Sequence, residues 1–182
     1  MAKRKGAYAY YEAVFENILR KCEIPYIAIN ENKRPIIRGE AIKNFDFIVY
    51  SKKGKYLIDI KGKFFPYEYS YGKPNYWENW ITLDDIKGLK FWQKIFGKEF
   101  QSFIIYPFLI KHKKDKGQFN FVYTFKNNSY GIVAIPMDTY LKESKSRSKK
   151  WKAIYVSRDK FRKLAISLNK LIPETSKLIS KI

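Results

Sequence analysis

Asn44-Phe45-Asp46-Phe47-Ile48-Val49-Tyr50-Ser51-Lys52-Lys53-Gly54-Lys55-Tyr56-Leu57-Ile58-Asp59-Ile60-Lys61 is the stretch on which the fold turns. Two runs rich in aromatic and β-branched residues, Phe45 to Tyr50 and Lys55 to Ile60, flank Ser51-Lys52-Lys53-Gly54, the pattern of two strands joined by a hairpin turn. A symmetric turn pairs Tyr50 with Lys55, Ile48 with Leu57 and Asp46 with Asp59. Opposed residues of an antiparallel pair project to one face, with Cβ atoms about 5 Å apart. Side chains alternate with period two, so Lys61 shares the face of Asp59. Phe45, Phe47, Val49, Tyr56, Ile58 and Ile60 are expected on the opposite face, which makes both strands central and largely buried.

Two carboxylates facing each other between apolar strands repel, and each is costly to bury without a partner. A divalent cation removes that conflict, because hard oxygen ligands suit Mg²⁺, or Mn²⁺ in its place. Such an ion polarises a phosphoryl oxygen and acidifies a bound water. Lys61 beside it can hold the water or the phosphate and add positive charge. The plain alternative is that Asp46, Asp59 and Lys61 are ordinary strand-end charges. A lone Asp-x-Lys tripeptide says little; the acid at the facing position gives it weight.

Outward from the hairpin, residues 7–22 read as an amphipathic helix with Tyr8, Tyr11, Phe15, Ile18, Leu19 and Cys22 in one stripe. Glu12 lies at the edge of that stripe and Glu16 one turn further towards solvent. Glu12 therefore ranks first to join the acids, with a surface glutamate as its alternative. Glu16 is an outer candidate, with an intrahelical pair to Arg20 as its alternative. Tyr26 to Ile29 is a short strand. Phe64 to Trp80 reads as an aromatic loop, in which Tyr67, Tyr69, Tyr71, Tyr76, Trp77 and Trp80 either stack on unpaired bases or pack over the sheet edge. Thr82 caps a helix, with Asp85 completing a capping box and Gly97 stopping it. Asp84 and Asp85 are assigned to that helix start. Phe103–Tyr106, Phe119–Tyr123 and Gly131–Ile135 are strands, the first two flanking the basic loop Lys111 to Lys116. Lys142 to Lys152 reads as a mobile run, and Ser157 as the cap of a last helix closed by Pro173. This order predicts an α/β fold with a central mixed sheet flanked by helices.

The 37 Lys and Arg against 17 Asp and Glu leave a net charge of +20, enough to attract a polyanion such as DNA or RNA. With 182 residues and 46% hydrophobic content, one domain over residues 1–182 with a real core is expected. No apolar run is long enough to span a membrane, and Cys22 is the one cysteine, so a cytoplasmic protein without disulfides is expected. One His and one Cys exclude a His-based triad and a zinc site. No Walker A or GxGxxG pattern occurs, which argues against ATP or NAD chemistry.

Asn44-Phe45-Asp46, then Asp59-Ile60-Lys61, after a helix bearing Glu12, resembles the PD-(D/E)xK nuclease superfamily, which includes restriction enzymes and archaeal Holliday-junction resolvases. The usual Pro before the first acid is absent. The resemblance covers about residues 6–106, leaving about 107–182 as a C-terminal extension. It implies a restriction-endonuclease-like core, a Mg²⁺-dependent phosphodiester hydrolase, and metal ligands at Asp46, Asp59, the Ile60 carbonyl and Glu12, with Lys61 assisting. A Gln on the following helix is common there, and Gln93 is placed to serve beside Glu16 as an outer residue. Tyr10-Tyr11-Glu12-Ala13-Val14-Phe15-Glu16 looks like the signature of the HYExAFE family, with Tyr10 for His and Val14 for Ala, a resemblance that names a family and no reaction. Asn79-Trp80-Ile81-Thr82 with Asp85, and Trp92 with Phe96-Gly97, look like it too.

The expectation is a nuclease acting on nucleic acid, DNA first, with Lys63, Lys111, Lys113, Lys114, Lys145, Arg147, Lys149 and Lys150 as its phosphate-binding surface and room for a homodimer. Its alternatives are a non-cleaving nucleic-acid-binding module on the same fold, and an RNA-processing or structural member.

Overall fold

The computed structural model describes residues 5–30, 32–37, 39–68 and 73–179, with side chains from Tyr10 onward. The side chain of Tyr8, together with Tyr69 and Tyr71, lies outside the described residues. Helix α1 (Lys5–Lys21) buries Tyr11, Val14, Phe15, Ile18 and Leu19, the spacing of a helix that covers a sheet. Strand β1 (Tyr26–Ala28) follows, then a small pair, β2 (Ile36–Ile37) with β3 (Glu40–Ala41). The hairpin is β4 (Phe47–Ser51) and β5 (Gly54–Ile60), with Tyr50 opposite Lys55 and Ile48 opposite Leu57. Next come β6 (Lys63–Phe65), β7 (Ile81–Thr82), α2 (Leu83–Phe96) and the long β8 (Phe100–Ile110). The chain continues through β9 (Val122–Phe125), β10 (Asn128–Pro136), α3 (Met137–Glu143), β11 (Lys145–Ser148) and β12 (Ala153–Tyr155). It continues with α4 (Arg158–Leu164), β13 (Ile166–Ser167) and α5 (Leu168–Leu171), followed by a 3₁₀ helix over Pro173–Leu178.

The main sheet runs β1-β4-β5-β8-β10-β13, with β6 paired to β8 and β9 to β10. Only the pairs of β5 and β6 with β8 are parallel, so this is the mixed sheet the sequence predicts. One face packs against α1 and α5 through Phe47, Tyr56, Ile58, Ile60 and Ile105. The other packs against α2, α3 and α4 through Ile48, Leu57, Ile104, Tyr106 and Val133. A second sheet, β11-β12-β7, sits at the edge.

β5 and β6 run along β8 in one register, Ile60 opposite Ile105 and Lys63 opposite Phe108. Lys61 still donates its N–H to the Ile105 carbonyl at 2.8 Å. The return bond to Lys61 would come from residue 107, a proline, which has no N–H to give. The ladder therefore breaks at Lys61-Gly62. A Cβ at Gly62 would overlap the Tyr11 ring, so glycine lets α1 press onto this break.

Four expectations need correcting. Phe45 belongs to the α2 side, edge-on to Trp92 (6.0 Å between ring centroids), because the chain bends at Asp46 and the strand starts only at Phe47. Lys142 to Lys152 is not a mobile run: it holds the end of α3, strand β11 and the turn into β12. The last helix stops at Leu164, where β13 pairs with β10 before α5 begins, and Ser157 makes no side-chain cap bond. Part of the basic loop forms a 3₁₀ turn, Lys113–Gln118, over the buried Asp115.

Candidate active site

Asp46 and Asp59 are placed by the hairpin. Phe47 faces Ile58, where the regular ladder ends; the chain bends at Asp46, whose N–H donates to the Ile58 carbonyl at 2.9 Å, and the bend leaves Asp46 within reach of the charges of Asp59 and Lys61. Both are buried, at 5% and 2% exposure. The Asp46 Oδ2 accepts the Ile60 N–H. Because Lys61 turns its backbone groups to β8, those of Ile60 face the other way, towards Asp46. Burial raises the Asp46 carboxyl well above the usual carboxylate range, and the charge of Asp59 raises it further. Burial raises Asp59 too, against the pull of Lys61.

Lys61 is the cation between the acids. Its Nζ stands 2.7 Å from Asp59 Oδ2 and 3.1 Å from Asp85 Oδ1. Burial alone would lower its pKa, but the charges of Asp59, Asp85 and Asp46 raise it, so it remains an ammonium. Asp59 Oδ2 is held by this charge-assisted contact with Lys61.

Asp85 is a residue that sequence reasoning assigned only to the helix. It does cap α2: its Oδ2 accepts the Thr82 N–H (2.8 Å) and hydroxyl (2.6 Å). Its Oδ1 also meets Lys61 and Lys43. Burial would raise its pKa, but the two lysines hold it far below the ordinary carboxylate range. Lys43 reaches it because α2 lies close to the chain before Asp46. A Cβ at Gly88 would strike the Lys43 carbonyl, and the Trp92 indole donates to that same carbonyl at 3.1 Å. No local sequence signal joins Asp85 to Lys61, since the contact spans the crossover between sheet and helix.

The other expected residues divide. Glu12 is half-buried on α1, which packs on the face of Ile58 and Ile60, whereas Asp59 and Lys61 project to the face of Leu57. Its charge reaches Asp46 as a small upward push. Among the described residues no three His, Cys, Asp or Glu stand close enough to hold a metal ion, so Glu12 does not complete a preformed cage. Glu16 is 2.7 Å from Arg20 and accepts the Tyr26 hydroxyl at 2.7 Å, the intrahelical alternative. Gln93 is at the far end of α2: it donates to the Gly97 carbonyl (3.1 Å) and to that of Phe100, and accepts the Ser102 hydroxyl (2.7 Å). It fastens the turn into β8 rather than the acids.

Of the basic residues, Lys111, Lys113, Lys114, Lys145, Arg147, Lys149 and Lys150 are exposed, and Lys63 is half-buried. Lys111 pairs with Glu68 at 3.0 Å. Arg147 pairs at 3.1 Å with Glu78, which is buried. Lys63 lies 3.9 Å from the Trp80 ring centroid, and Arg147 is 5.3 Å from the same ring. Burial brings the Lys63 ammonium down to about 8, with Glu78 opposing and Lys61 and Arg147 adding to the drop. Trp77 is a core residue among Phe65, Phe108 and Phe119, so it packs rather than stacks on bases. Asn79 fixes this segment: its side chain donates to Val156 O and accepts Val156 N–H, both at 2.9 Å, and its carbonyl accepts the Tyr106 and Tyr140 hydroxyls.

The donor chemistry fits a hard divalent cation. Two buried carboxylates lie close enough for the charge of Asp59 to raise the Asp46 carboxyl, and the backbone of Ile60 faces Asp46.

No protein-family model matches the chain, and a search of curated proteins gives no match either. The resemblance to the HYExAFE family therefore rests on the sequence motifs alone. Among solved structures, the chain is similar to a Holliday junction resolvase of the archaeal hyperthermophile Archaeoglobus fulgidus. The TM-score is 0.50 at 10% identity, over 90% of this chain and 93% of that one. The likeness shows a restriction-endonuclease-like fold, and it extends beyond residues 6–106. No helix among the described residues is long and apolar enough to cross a membrane.

Proposed function

We propose that this chain is a metal-dependent nuclease that hydrolyses phosphodiester bonds in nucleic acid, DNA first. The observation that carries this reading is the buried meeting of Asp46 and Asp59 across the hairpin, beside Lys61, on a fold shared with an archaeal resolvase. Asp46, Asp59 and the Ile60 carbonyl would hold Mg²⁺ or Mn²⁺, which when bound polarises a phosphoryl oxygen and acidifies a water. Lys61 stays charged, so its part is to donate to a phosphate or water oxygen, not to accept a proton. Asp85 is a positioning residue that, with Asp59, keeps this ammonium in place. Glu12 adds negative potential at Asp46 from α1. Lys113, Lys114, Lys145, Lys149 and Lys150 supply exposed charge for phosphates, joined by the exposed but paired Lys111 and Arg147, with Lys63 half-buried against Trp80. A single domain over 1–182, working in the cytoplasm, completes the proposal.

A second reading, the non-cleaving binding module, is favoured by the burial of both acids, 5% and 2% exposed, which restricts the approach of a backbone. One experiment separates them. Purified protein is incubated with single-stranded, duplex and branched DNA and with RNA, in Mg²⁺ or Mn²⁺ and in EDTA. Metal-dependent cleavage that Asp59→Asn abolishes supports the nuclease. Binding without cleavage of any form, in either metal, supports the module.

A further inference from the structure

Beside the acids, where the second sheet meets the aromatic segment, lies a groove of about 510 Å³ lined by Tyr67, Trp80, Thr82, Arg147, Ser148 and Trp151 among others. Its volume falls within the range of about 300–1,000 Å³ common to small-molecule sites. Three aromatic rings line it. Trp151, at the turn between β11 and β12, is 70% exposed, an unusual position for the largest apolar side chain.

The groove's own charges are already engaged. Arg147 is held by Glu78, and both Arg147 and Lys63 lie over the Trp80 ring. A phosphate clamp needs cations that can turn to the ligand, so the ring surface, above all that of Trp151, is what the groove offers. An electron-poor, flat, uncharged group suits such surface. On a chain of net charge +20, with exposed Lys145, Lys149 and Lys150 along the same hairpin, that group arrives on a phosphate backbone.

The groove also adjoins the acids. Thr82 lines it and bonds Asp85 Oδ2, while Asp85 Oδ1 is 3.1 Å from Lys61. Lys63, two residues beyond Lys61, covers Trp80.

We infer that this groove stacks an unpaired nucleobase of single-stranded DNA against Trp151, with Tyr67 and Trp80 as walls, while the flanking phosphates meet the lysines of the β11–β12 turn. The inference rests on the nuclease reading for its setting and narrows the substrate to DNA with a single-stranded segment at the cut.

Fluorescence anisotropy in EDTA, with whole protein and labelled DNA, tests it. The probes are a single-stranded oligomer, the same length of abasic single strand, the duplex, and the ribo-oligomer. Base–aromatic stacking contributes about 1–3 kcal/mol per base, so Trp151→Ala should weaken single-strand binding by roughly 5- to 150-fold. Abasic and duplex binding should change less than about twofold, because phosphate contacts are retained. Trp151→Phe should restore most of the loss, and because residue 151 is exposed both variants should melt as wild type does. Equal weakening on abasic and base-bearing strands, or none on either, overturns the groove while leaving the nuclease reading intact. A loss confined to the ribo-oligomer also overturns it, in favour of RNA. Wild type that binds none of the four overturns both.

Discussion

Charge is handled in opposite ways at the β4–β5 hairpin and at the β11–β12 hairpin. At the first, Asp46, Asp59, Lys61, Asp85 and Lys43 are drawn into the molecule, and each charge has a named neighbour at bonding distance. At the second, Lys145, Lys149 and Lys150 stand in solvent, Lys150 over the Trp151 ring at 5.8 Å from its centroid, while Arg147 is tied to Glu78. Buried charges act as individuals, since in a poorly screened setting each depends on its partner. Exposed charges act as a sum that salt can screen. The difference teaches where a single substitution should matter and where only several together will.

The largest expected effect is on cleavage. Asp59→Asn keeps the side-chain shape and removes the charge. Turnover in Mg²⁺ should fall by about a hundred- to a thousandfold, the scale seen when one preorganised group that stabilises a transition state is removed. DNA affinity should move less than twofold, because the basic surface is untouched. Turnover like that of wild type would take Asp59 out of the chemistry and bring the two hairpins closer in kind.

Next comes stability. Asp85→Ala leaves Lys61 and Lys43 facing one carboxylate fewer and removes the cap of α2, and should cost about 3–5 kcal/mol in urea unfolding, as breaking a buried ion pair does. A cost under about 1 kcal/mol would place this cluster with surface pairs.

Third is the dependence of stability on pH without metal. The Asp46 pKa is raised in the fold, so its contribution to stability is complete below the unfolded value, about 3.9, and is lost as pH rises through the folded value. The lowered pKa of Asp85 acts in the opposite sense, but only in more acid solution, so it does not oppose this trend above pH about 4. In EDTA, Asp46→Asn should raise the melting temperature at pH 7 and flatten the decline that wild type shows as pH rises above about 4. Mg²⁺ or Mn²⁺ should raise the wild-type melting temperature and leave the variant's nearly unchanged, since a ligand that binds only the folded state stabilises it. Parallel melting curves for the two proteins would show that Asp46 carries no such conflict.

The smallest effect belongs to the exposed hairpin. Neutralising Lys145, Lys149 and Lys150 together should reduce the slope of log affinity against log salt by up to about 2.7, roughly 0.9 for each phosphate that a lysine no longer neutralises. Changing one alone should fall within error. A single lysine that accounts for the whole change would mean that this hairpin, too, holds a specific site.

Much of the fold was legible in the residues. The Ser51 to Gly54 turn sets the register from Tyr50 opposite Lys55 to Phe47 opposite Ile58, because a hairpin is a local structure in which counting outward from the turn suffices. Thr82 with Asp85 and Gly97 marked α2 to within a residue for the same reason. Strand β6 was read as loop, since Lys63 to Phe65 becomes a strand only by lying parallel to β8, more than 40 residues away in the chain. The C-terminal helix was overextended because Ile166-Ser167 has helical spacing and yields to a place beside β10.

For the candidate site, the sequence by itself determined that Asp59 and Lys61 share a strand face, because that follows from the two-residue period, and it set the hairpin register as far as Phe47, one residue short of Asp46. Tertiary structure alone decided which charges meet them. It brought Asp85 and Lys43 to Lys61, left Glu12 on a helix across the sheet, and sent Gln93 to the opposite end of α2. It also set Gly62 under Tyr11 and broke the strand where Pro107 has no proton to give. These contacts arise from packing a helix on each face of a sheet, and packing joins residues by shape and burial, which no local spacing records.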